Sequence, residues 1–338
     1  MTDAFQTLSG AQQRRHLRGV ALRAVANYDI PVATIALINA GFNFTYRVTT
    51  TTGDKLALRL NINSRRSIDN LLAEVSWTSA LATSSSVHVP VPQRSRDGSH
   101  YVLVDDPLMN RDIPAVLYSW LPGRNLDDSN ALAGWHRAGH VMAMLHEHAR
   151  EFTLPSGADV PLLRTALWGT PDRLHRDRLP ITRDDEMLLR TLHDEINHRL
   201  DRLWANDTGR LLHADLHGGN MKWLRGRLAV FDFDDCGWGL PIQDLATTAY
   251  YIRDNGDCEQ AFFEGYASAT NEGASRSEDR EWLLAQRNLL LLSDLAGSST
   301  RELRDFVPRY TANSLIKLRA FAATGVYHHA VEGVVSAR

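Results

Sequence analysis

One short loop constrains this chain more than any other part of its sequence. Residues 213–220 read HADLHGGN, and Asp232 follows twelve residues after Asn220 at the end of an apolar run. Phosphoryl transfer requires a carboxylate to take the proton of the accepting hydroxyl and oxygen ligands to hold Mg²⁺. The spacing H-x-D-x-x-x-x-N, followed by a strand ending in Asp, predicts Asp215 as that base and Asn220 and Asp232 as the metal ligands.

The residues around the loop favour this interpretation over an ordinary turn, in which His, Asp and Asn would serve only as turn formers. Two apolar runs at 221–224 and 228–231 are joined by a turn at 225–227, which predicts a hairpin. This hairpin would bring Asp232 beside the loop. We expect His213 to have a structural role, holding the loop by hydrogen bonds.

Length and composition favour a cytosolic globular protein with two lobes. The chain has 338 residues, of which 43% are apolar, and its net charge of −3 leaves no basic surplus for nucleic acid. The first residues lack the features of a signal peptide and the leucine run at 289–292 ends at Ser293, so no membrane association is expected. Two cysteines, Cys236 and Cys258, exclude a disulfide framework.

The order of predicted elements is that of an α+β, bilobal, protein-kinase-like fold. Strand patterns occupy 35–38, 44–50, 55–60, 101–104 and 115–120. Helical patterns occupy 11–27, 68–82, 131–149, 184–204, 243–251, 259–268, 278–295 and 310–323. We therefore predict a β-rich nucleotide-binding lobe over 1–120, a linker at 121–126 and a helical catalytic lobe over 127–338, with the nucleotide in the cleft between the lobes.

The residues that bind the nucleotide are predicted from their positions in this order of strands and helices. Arg59 lies on a strand where protein kinases carry a lysine toward the phosphates, and Glu74 on the next helix could hold it as an ion pair. Both could instead be solvated surface charges. The loop at 39–45 has one glycine, so its backbone N–H groups, together with Asn43 or Thr45, are expected to cradle phosphates. Backbone groups near Ser119 and Leu121 are the expected partners of adenine.

With these residues in order, the chain resembles the aminoglycoside phosphotransferase and choline kinase-like superfamily over roughly residues 35–255. It looks closest to the branch of bacterial stress-response Ser/Thr kinases and type II homoserine kinase-like proteins, whose D-x-D-D…G-P…Q-D-L-A segment is similar to residues 232–246 here. The resemblance implies that Asp232 binds the metal ion and that Asp244 braces the catalytic loop. The chain departs from the family at Ala214, where many members have glycine. ATP is the expected nucleotide, with GTP possible.

The leading hypothesis is an ATP- and Mg²⁺-dependent kinase that phosphorylates a hydroxyl of a small molecule such as an antibiotic, an amino alcohol or a sugar-like metabolite. A Ser/Thr protein kinase is the first alternative, and it would need an open groove where a small-molecule kinase needs a pocket. A nucleotide-binding scaffold without turnover is the second. The presence of all three predicted catalytic and metal-binding groups argues against the scaffold.

The acceptor is predicted from acidic residues near the metal ligand. Asp234 and Asp235 closely follow Asp232, and Glu259 and Glu264 lie on the second predicted helix after it. His217 is expected to face the cleft. If these carboxylates converge, a cationic acceptor is favoured by charge complementarity. The alternative is that the aspartates accept hydrogen bonds in the turn and the glutamates face water.

Overall fold

The computed structural model of the chain describes residues 4–64, 66–128, 131–270 and 278–335. An antiparallel sheet comes first, with one helix before it and a second helix between its third and fourth strands, and helices dominate the remainder. This is the order of β-rich and helical regions that the sequence predicts. None of the helices in these ranges combines the length and the apolar character that a membrane crossing requires.

Alternation of buried and half-buried side chains builds the N-terminal sheet. Its strands are β1 (Val32–Ala40), β2 (Phe44–Thr50), β3 (Lys55–Leu60), β4 (Val102–Asp106) and β5 (Arg111–Ser119). They lie in the order β1-β2-β3-β5-β4, with every neighbouring pair antiparallel. In β2 the buried positions are Phe44, Tyr46, Val48 and Thr50, every second residue, as a sheet with one covered face requires. Strand β5 begins four residues before its predicted start because the polar residues Arg111 and Asp112 pair with Asp106 and Asp105 of β4.

Two helices complete this region. Helix α1 (Gly10–Val25) starts at a capping box formed by Ser9 and Gln12, and its buried side chains join the core of the sheet. Helix α2 (Ile68–Ser84) packs on two sides. Leu71 and Val75 contact the β5 side of the sheet, whereas Trp77 belongs to the core of the helical region. The second helix therefore joins the β-rich and helical regions rather than lying on one of them.

The helical region consists of α3 (Leu132–Glu151), α4 (Arg183–Trp204), α5 (Pro241–Ile252), α6 (Gly256–Ala267), α7 (Glu278–Ala296) and α8 (Arg301–Thr324). The short strand β6 (Arg124–Asn125) precedes α3. Four more short strands lie between α4 and α5: β7 (Arg210–Leu212), β8 (Met221–Leu224), β9 (Arg227–Val230) and β10 (Gly237–Gly239). Helix α8 starts nine residues before its predicted start and includes Pro308. A proline in a helix removes a backbone hydrogen bond, so the sequence pattern alone is a poor guide there.

Helix α1 and the loop after β3 are tied to the start of α8. The buried side chain of Gln13 accepts a hydrogen bond from the Arg301 N–H (2.8 Å), and Asn63 Oδ1 accepts from both the N–H and the hydroxyl of Ser299 (2.8 Å each). Asn63 Nδ2 also donates to the Thr300 hydroxyl (3.3 Å). The sheet and the helices are therefore joined here as well as through the linker.

Two glycines allow α3 and α6 to pack backbone to backbone. A Cβ atom on Gly139 would lie 1.9 Å from the Phe262 carbonyl oxygen, and one on Gly265 would lie 1.8 Å from the His136 carbonyl oxygen. Both distances are far shorter than a van der Waals contact. The packing matters for the site because α3 carries His146, which contacts the buried Asp244 described below.

We expect Gly139→Ala to lower the free energy of unfolding by about 3 kcal/mol, because the added methyl group would force the two backbones apart. Urea denaturation followed by circular dichroism measures the change. Gly19→Ala is the matched control, since a methyl group added there on α1 would meet no heavy atom of the other described residues within 4 Å. It should raise stability by about 0.5–1 kcal/mol through helix propensity. Equal effects of the two substitutions would contradict the close-packing interpretation.

Candidate active site

A cavity of about 1130 Å³ lies between the N-terminal sheet and the helices. The predicted site residues that line it are Asn43, Arg59, Ser119, Leu121, Asp215, His217, Asn220, Asp232, Asp234 and Asp235. Glu74, His213 and Asp244 lie behind this surface and hold residues that line it. The structure thus brings residues from both sides of the linker to one space.

Asp244 at the start of α5 fixes the backbone of the loop that carries Asp215. Its carboxylate accepts hydrogen bonds from the N–H groups of His213 (3.2 Å) and Ala214 (2.8 Å), and His146 Nε2 lies 3.1 Å away. Burial alone would raise the pKa of Asp244, but the interactions with His146, His213 and the Ala214 N–H together outweigh it and the pKa is lowered. A buried, ionised carboxylate here fits the bracing role that the family resemblance implies.

The same loop holds a backbone conformation that residues with a side chain rarely adopt. Ala214 has a φ of 65°, in the left-handed region, which accounts for the glycine that many family members carry at this position. The fully buried His213 supports the loop: its Nδ1 accepts from the Asp215 N–H (3.3 Å) and its Nε2 lies 3.1 Å from the Phe231 carbonyl oxygen. These partners assign the ring proton to Nε2. His213 therefore links the loop to the chain just before Asp232.

The Asp215 carboxylate is held on both oxygens. Arg287 of α7 forms an ion pair with Oδ1, and the Tyr251 hydroxyl lies 3.5 Å from the same atom. Asn220 Nδ2 donates to Oδ2 (3.1 Å) and to the Asp215 carbonyl oxygen (3.0 Å). Burial raises the pKa of Asp215, and the positive charge of Arg287 opposes that shift. His217 stacks on Tyr251 with its Nε2 3.8 Å from Oδ2.

The β8–β9 hairpin places Asp232 next to the loop, as its turn predicts. Arg225 and Gly226 have φ values of 50° and 80°, the pattern of a two-residue type I′ turn. After β9 the Phe231 N–H donates to the Asn220 carbonyl oxygen (3.0 Å), which positions Asp232 one residue further. Asp232 itself has a φ of 67°.

The oxygen atoms of Asn220 and Asp232 fit a hard divalent cation. The Asn220 amide nitrogen donates to Asp215, so its oxygen is the atom left to bind a metal ion, and Asp232 faces the cavity. Within the described ranges no group of three or more His, Cys, Asp or Glu residues has the geometry of a metal site. One carboxylate and one amide oxygen are the kind of incomplete set that holds Mg²⁺ only together with nucleotide phosphates and water.

Arg59 and Glu74 form the buried ion pair that the sequence suggested. Arg59 Nη2 lies 2.6 Å from Glu74 Oε2, and Nη1 lies 2.7 Å from Asp232 Oδ1. The second oxygen of Glu74 accepts from the Tyr118 hydroxyl (2.6 Å), and Arg59 Nε donates to Asn61 (3.0 Å). With every edge of the guanidinium occupied, Arg59 is held rigidly toward the cavity.

One backbone group of the linker prediction is already occupied. The Ser119 N–H donates to the Val91 carbonyl oxygen (2.9 Å), so this N–H is not available to adenine, and the Ser119 hydroxyl accepts from the Val91 N–H (2.8 Å). Ser119 ends β5, and Val91 lies beside it as a strand-like neighbour that the sequence pattern did not indicate. Leu121 lines the cavity beyond this contact.

The predicted convergence of acidic residues is wrong for the glutamates. Glu264 is exposed on α6, where it accepts a hydrogen bond from Gln260, and Glu259 is buried in an ion pair with Arg253. Residues five apart on a helix point about 140° away from each other, so the two side chains cannot face one pocket.

The two aspartates do line the cavity, but each has a partner. Asp234 Oδ2 accepts from Asn43 Nδ2 (2.6 Å), and burial together with the nearby Asp232 raises its pKa well above the ordinary value. Asp235 is paired with Arg66 (3.0 Å), which lowers its pKa although burial opposes the shift. The cavity is therefore less acidic than the run of aspartates suggests.

Sequence reasoning missed Arg287, Tyr251, Tyr118 and Trp168. The first two contact Asp215, Tyr118 holds Glu74, and Trp168 lies beside Arg287 with 5.6 Å between the Arg287 Cζ atom and the ring centroid. One signal was available, because the polar run 286–288 interrupts an otherwise apolar stretch of α7 and all three residues are buried. The other residues are aromatic, and their sequence gives no sign that they face a cavity.

Comparisons with known proteins bear on the fold and the chemistry. The model of the phosphotransferase enzyme family matches residues 34–282. The chain is 26% identical over 244 residues to amicoumacin kinase of Bacillus subtilis (strain 168), which covers 70% of this chain and 68% of that protein.

Solved structures give the same result. A microcompartment-associated aminopropanol kinase is similar with a TM-score of 0.76 and 25% identity, over 92% of this chain and 99% of that one. An amicoumacin kinase in complex with AMP-PNP, Ca²⁺ and Ami is similar with a TM-score of 0.69 and 19% identity, over 90% and 93% of the two chains. These likenesses confirm the predicted kinase-like fold.

Proposed function

Because the chain belongs to the phosphotransferase enzyme family and is therefore a kinase, we propose that it transfers the γ-phosphoryl group of ATP to a hydroxyl group of a small molecule. One observation carries the proposal: Asp215, Asn220 and Asp232 meet at the same cavity, although their spacing along the chain is all that the sequence provides. Asp215 is the proposed base, and Asn220 and Asp232 are the proposed ligands of Mg²⁺.

Asp215 is placed to accept the proton of the attacking hydroxyl. Its Oδ1 is held by Arg287, whereas Oδ2 has only the amide of Asn220 as a close donor among the described residues and can approach a further hydroxyl. A carboxylate whose orientation is fixed by several partners loses little freedom when the acceptor binds. Mg²⁺, when bound, would offset the negative charge of the phosphates.

Arg59 is the proposed phosphate-binding group. Arg59 pairs with Asp232, so a metal ion bound by Asp232 would release one edge of the guanidinium toward a phosphate. Glu74 would keep the other edge in place. In support, the amicoumacin kinase of similar fold was solved with a nucleotide analogue and a divalent cation.

A small acceptor is better supported than a protein. Beyond Asp215 the cavity is lined by residues of α7 and of the segment 161–173, which together form a pocket where a protein kinase needs an open groove. The relatives named above act on small molecules, amicoumacin and aminopropanol, by their names.

The direct test is acceptor-dependent ADP release by the full chain with ATP and Mg²⁺. The panel should contain hydroxylated amines, amides, neutral sugars, amino acids, nucleosides and antibiotics, with GTP in place of ATP as a second series and chelator as the metal control. Turnover with a member of the panel is the expected result. Turnover with protein acceptors alone would favour the protein-kinase alternative. Absence of turnover with every acceptor would favour the nucleotide-binding scaffold.

We expect Arg59→Ala to weaken ATP binding by about ten-fold or more while adenosine binding changes by less than about three-fold, because a charge-assisted hydrogen bond to phosphate is lost. Calorimetry with both ligands measures the difference. Lys55→Ala on the exposed end of β3 is the matched control and should change neither affinity. Arg59→Lys keeps the charge beside Glu74 and separates loss of phosphate binding from loss of folding. Equal losses for ATP and adenosine would place Arg59 away from the phosphates.

A further inference from the structure

The cavity has a definite charge balance. Five basic residues and five aspartates line it: Arg59, Arg66, Arg173, Lys222, Arg287, Asp215, Asp232, Asp234, Asp235 and Asp294. Three of the possible ion pairs are formed directly, Arg59 with Asp232, Arg66 with Asp235 and Arg287 with Asp215. A pocket with equal numbers of opposite charges gives no strong electrostatic preference for a cationic acceptor, so its selectivity must come from hydrogen bonds.

Two buried donors in this pocket have no partner among the described residues. Arg287 Nε and Trp168 Nε1 are both buried from solvent, and neither makes a hydrogen bond within that part of the chain. Their side chains are 3% and 5% exposed, respectively, and the Arg287 Cζ atom lies 5.6 Å from the Trp168 ring centroid. A buried donor without an acceptor costs about 1–3 kcal/mol, so two such donors on contacting residues of one cavity are candidates to bind a ligand.

The backbone at Trp168 is also strained. Its φ of 52° lies in the left-handed region, which bulky residues rarely occupy. The turn is held by hydrogen bonds from the Trp168 N–H to the Thr165 carbonyl oxygen (3.1 Å) and from the Gly169 N–H to the Thr165 hydroxyl (3.0 Å). Strain of this kind persists where surrounding structure enforces it, and it is common in ligand-binding sites.

An unpartnered indole N–H does not by itself mark a site. Trp204 at the end of α4 also has one, but the cavity lining includes Trp168 and not Trp204 among the described residues. What distinguishes Trp168 is that a second unpartnered donor, on the residue that holds the proposed base, lies beside it.

We infer that Arg287 and Trp168 bind a carbonyl oxygen of the acceptor, which is therefore a hydroxylated amide or ketone. The inference rests on the proposed function. A neutral oxygen is favoured over a carboxylate because Asp215 already balances the charge of Arg287. Since Nη2 of the same planar guanidinium holds Asp215, a carbonyl bound at Nε would orient the acceptor relative to the base.

The test observes the Trp168 indole N–H directly. The full chain, with ¹⁵N-labelled tryptophan and saturating Mg²⁺ and ADP, is titrated with N-acetylethanolamine and separately with n-pentanol, which is similar in length and has no carbonyl group. The resonance that disappears in Trp168→Phe is that of the Trp168 indole N–H, one of eight tryptophans in the chain. The resonance that disappears in Trp204→Phe is that of Trp204, which serves as the control. We expect N-acetylethanolamine to shift the Trp168 resonance and n-pentanol to leave its position unchanged. Neither compound should shift the Trp204 resonance. Equal shifts with both compounds, or none with either, would overturn the inference.

A kinetic arm separates this inference from the proposed function. Trp168→Phe should lower kcat/KM about five-fold or more for acceptors with a carbonyl group and less than about two-fold for those without, the loss of one hydrogen bond. Turnover without this discrimination would refute the carbonyl site and leave the kinase assignment intact. A selective shift of the Trp168 resonance without turnover of any acceptor would support the carbonyl site and contradict the kinase assignment.

Discussion

Replacement of Asp215 by Asn is expected to lower kcat by about 10³-fold or more, because the acceptor hydroxyl loses the group that takes its proton. Asparagine is the informative substitution. Its amide oxygen can still accept from Arg287 and Tyr251. The new NH₂ group cannot accept from Asn220, but Asn220 keeps its hydrogen bond to the carbonyl oxygen of residue 215, so most of the packing of the loop is retained while the base is lost. Nucleotide affinity should stay within about three-fold of the unaltered protein, since the predicted base contacts the acceptor and not ATP.

Single-turnover kinetics and calorimetry with Mg²⁺ and ATP measure the two quantities. Glu264→Gln is the control, because it removes an exposed acid outside the cavity and should leave kcat unchanged. Full activity in Asp215→Asn would remove Asp215 from the role of base. A parallel loss of nucleotide affinity would instead indicate that the loop had collapsed.

The second large effect is expected for Asp232→Ala, which should reduce the Mg²⁺-dependent part of ATP binding by about 100-fold and turnover below detection. The ion pair between Asp232 and Arg59 adds a signature that general damage to the site would not give. Removal of the Asp232 carboxylate frees one edge of the Arg59 guanidinium for phosphate. Binding of ATP without Mg²⁺ should therefore be unchanged or stronger in the variant.

Calorimetry with and without Mg²⁺ tests both halves of this expectation. Asp235→Asn is the matched control: it alters a neighbouring cavity-lining acid that is paired with Arg66, and it should keep the Mg²⁺ dependence. Mg²⁺-dependent affinity equal to that of the unaltered protein would show that Asp232 is not a metal ligand. Loss of affinity in the absence of Mg²⁺ as well would point to general disruption of the site.

The parts of the site that the sequence predicts are those encoded locally. Asp215 and Asn220 lie five residues apart on one loop, and the turn at Gly226 returns the chain to place Asp232 beside them. The hydrophobic periodicity of the sequence, which is also local, was sufficient to predict most helices and strands. It was less informative where tertiary packing overrides local preference, as at Pro308 inside α8 and at the polar start of β5.

The partners of these residues could not be predicted, because they come from distant helices. Arg287 is 72 residues from Asp215 along the chain, and only the packing of α7 against α5 brings them together. The error at Glu264 is of another kind. Helical geometry alone separates it from Glu259 by about 140°, so the sequence contained enough information to reject the convergence.

The hydrogen bonds that tie α1 and the loop after β3 to the start of α8 lie away from the linker, and the two connections together limit how the cleft can move. A hinge rotation that swung the sheet open about the linker would have to break the bonds of Gln13 and Asn63 to residues 299–301. At a net value of about 1 kcal/mol for each of these four bonds, a wide-open form would make up about one molecule in a thousand. We therefore expect the cleft between the sheet and the helices to keep a nearly fixed width. Substrates would enter and products leave through its open side, without rotation of the sheet away from the helices.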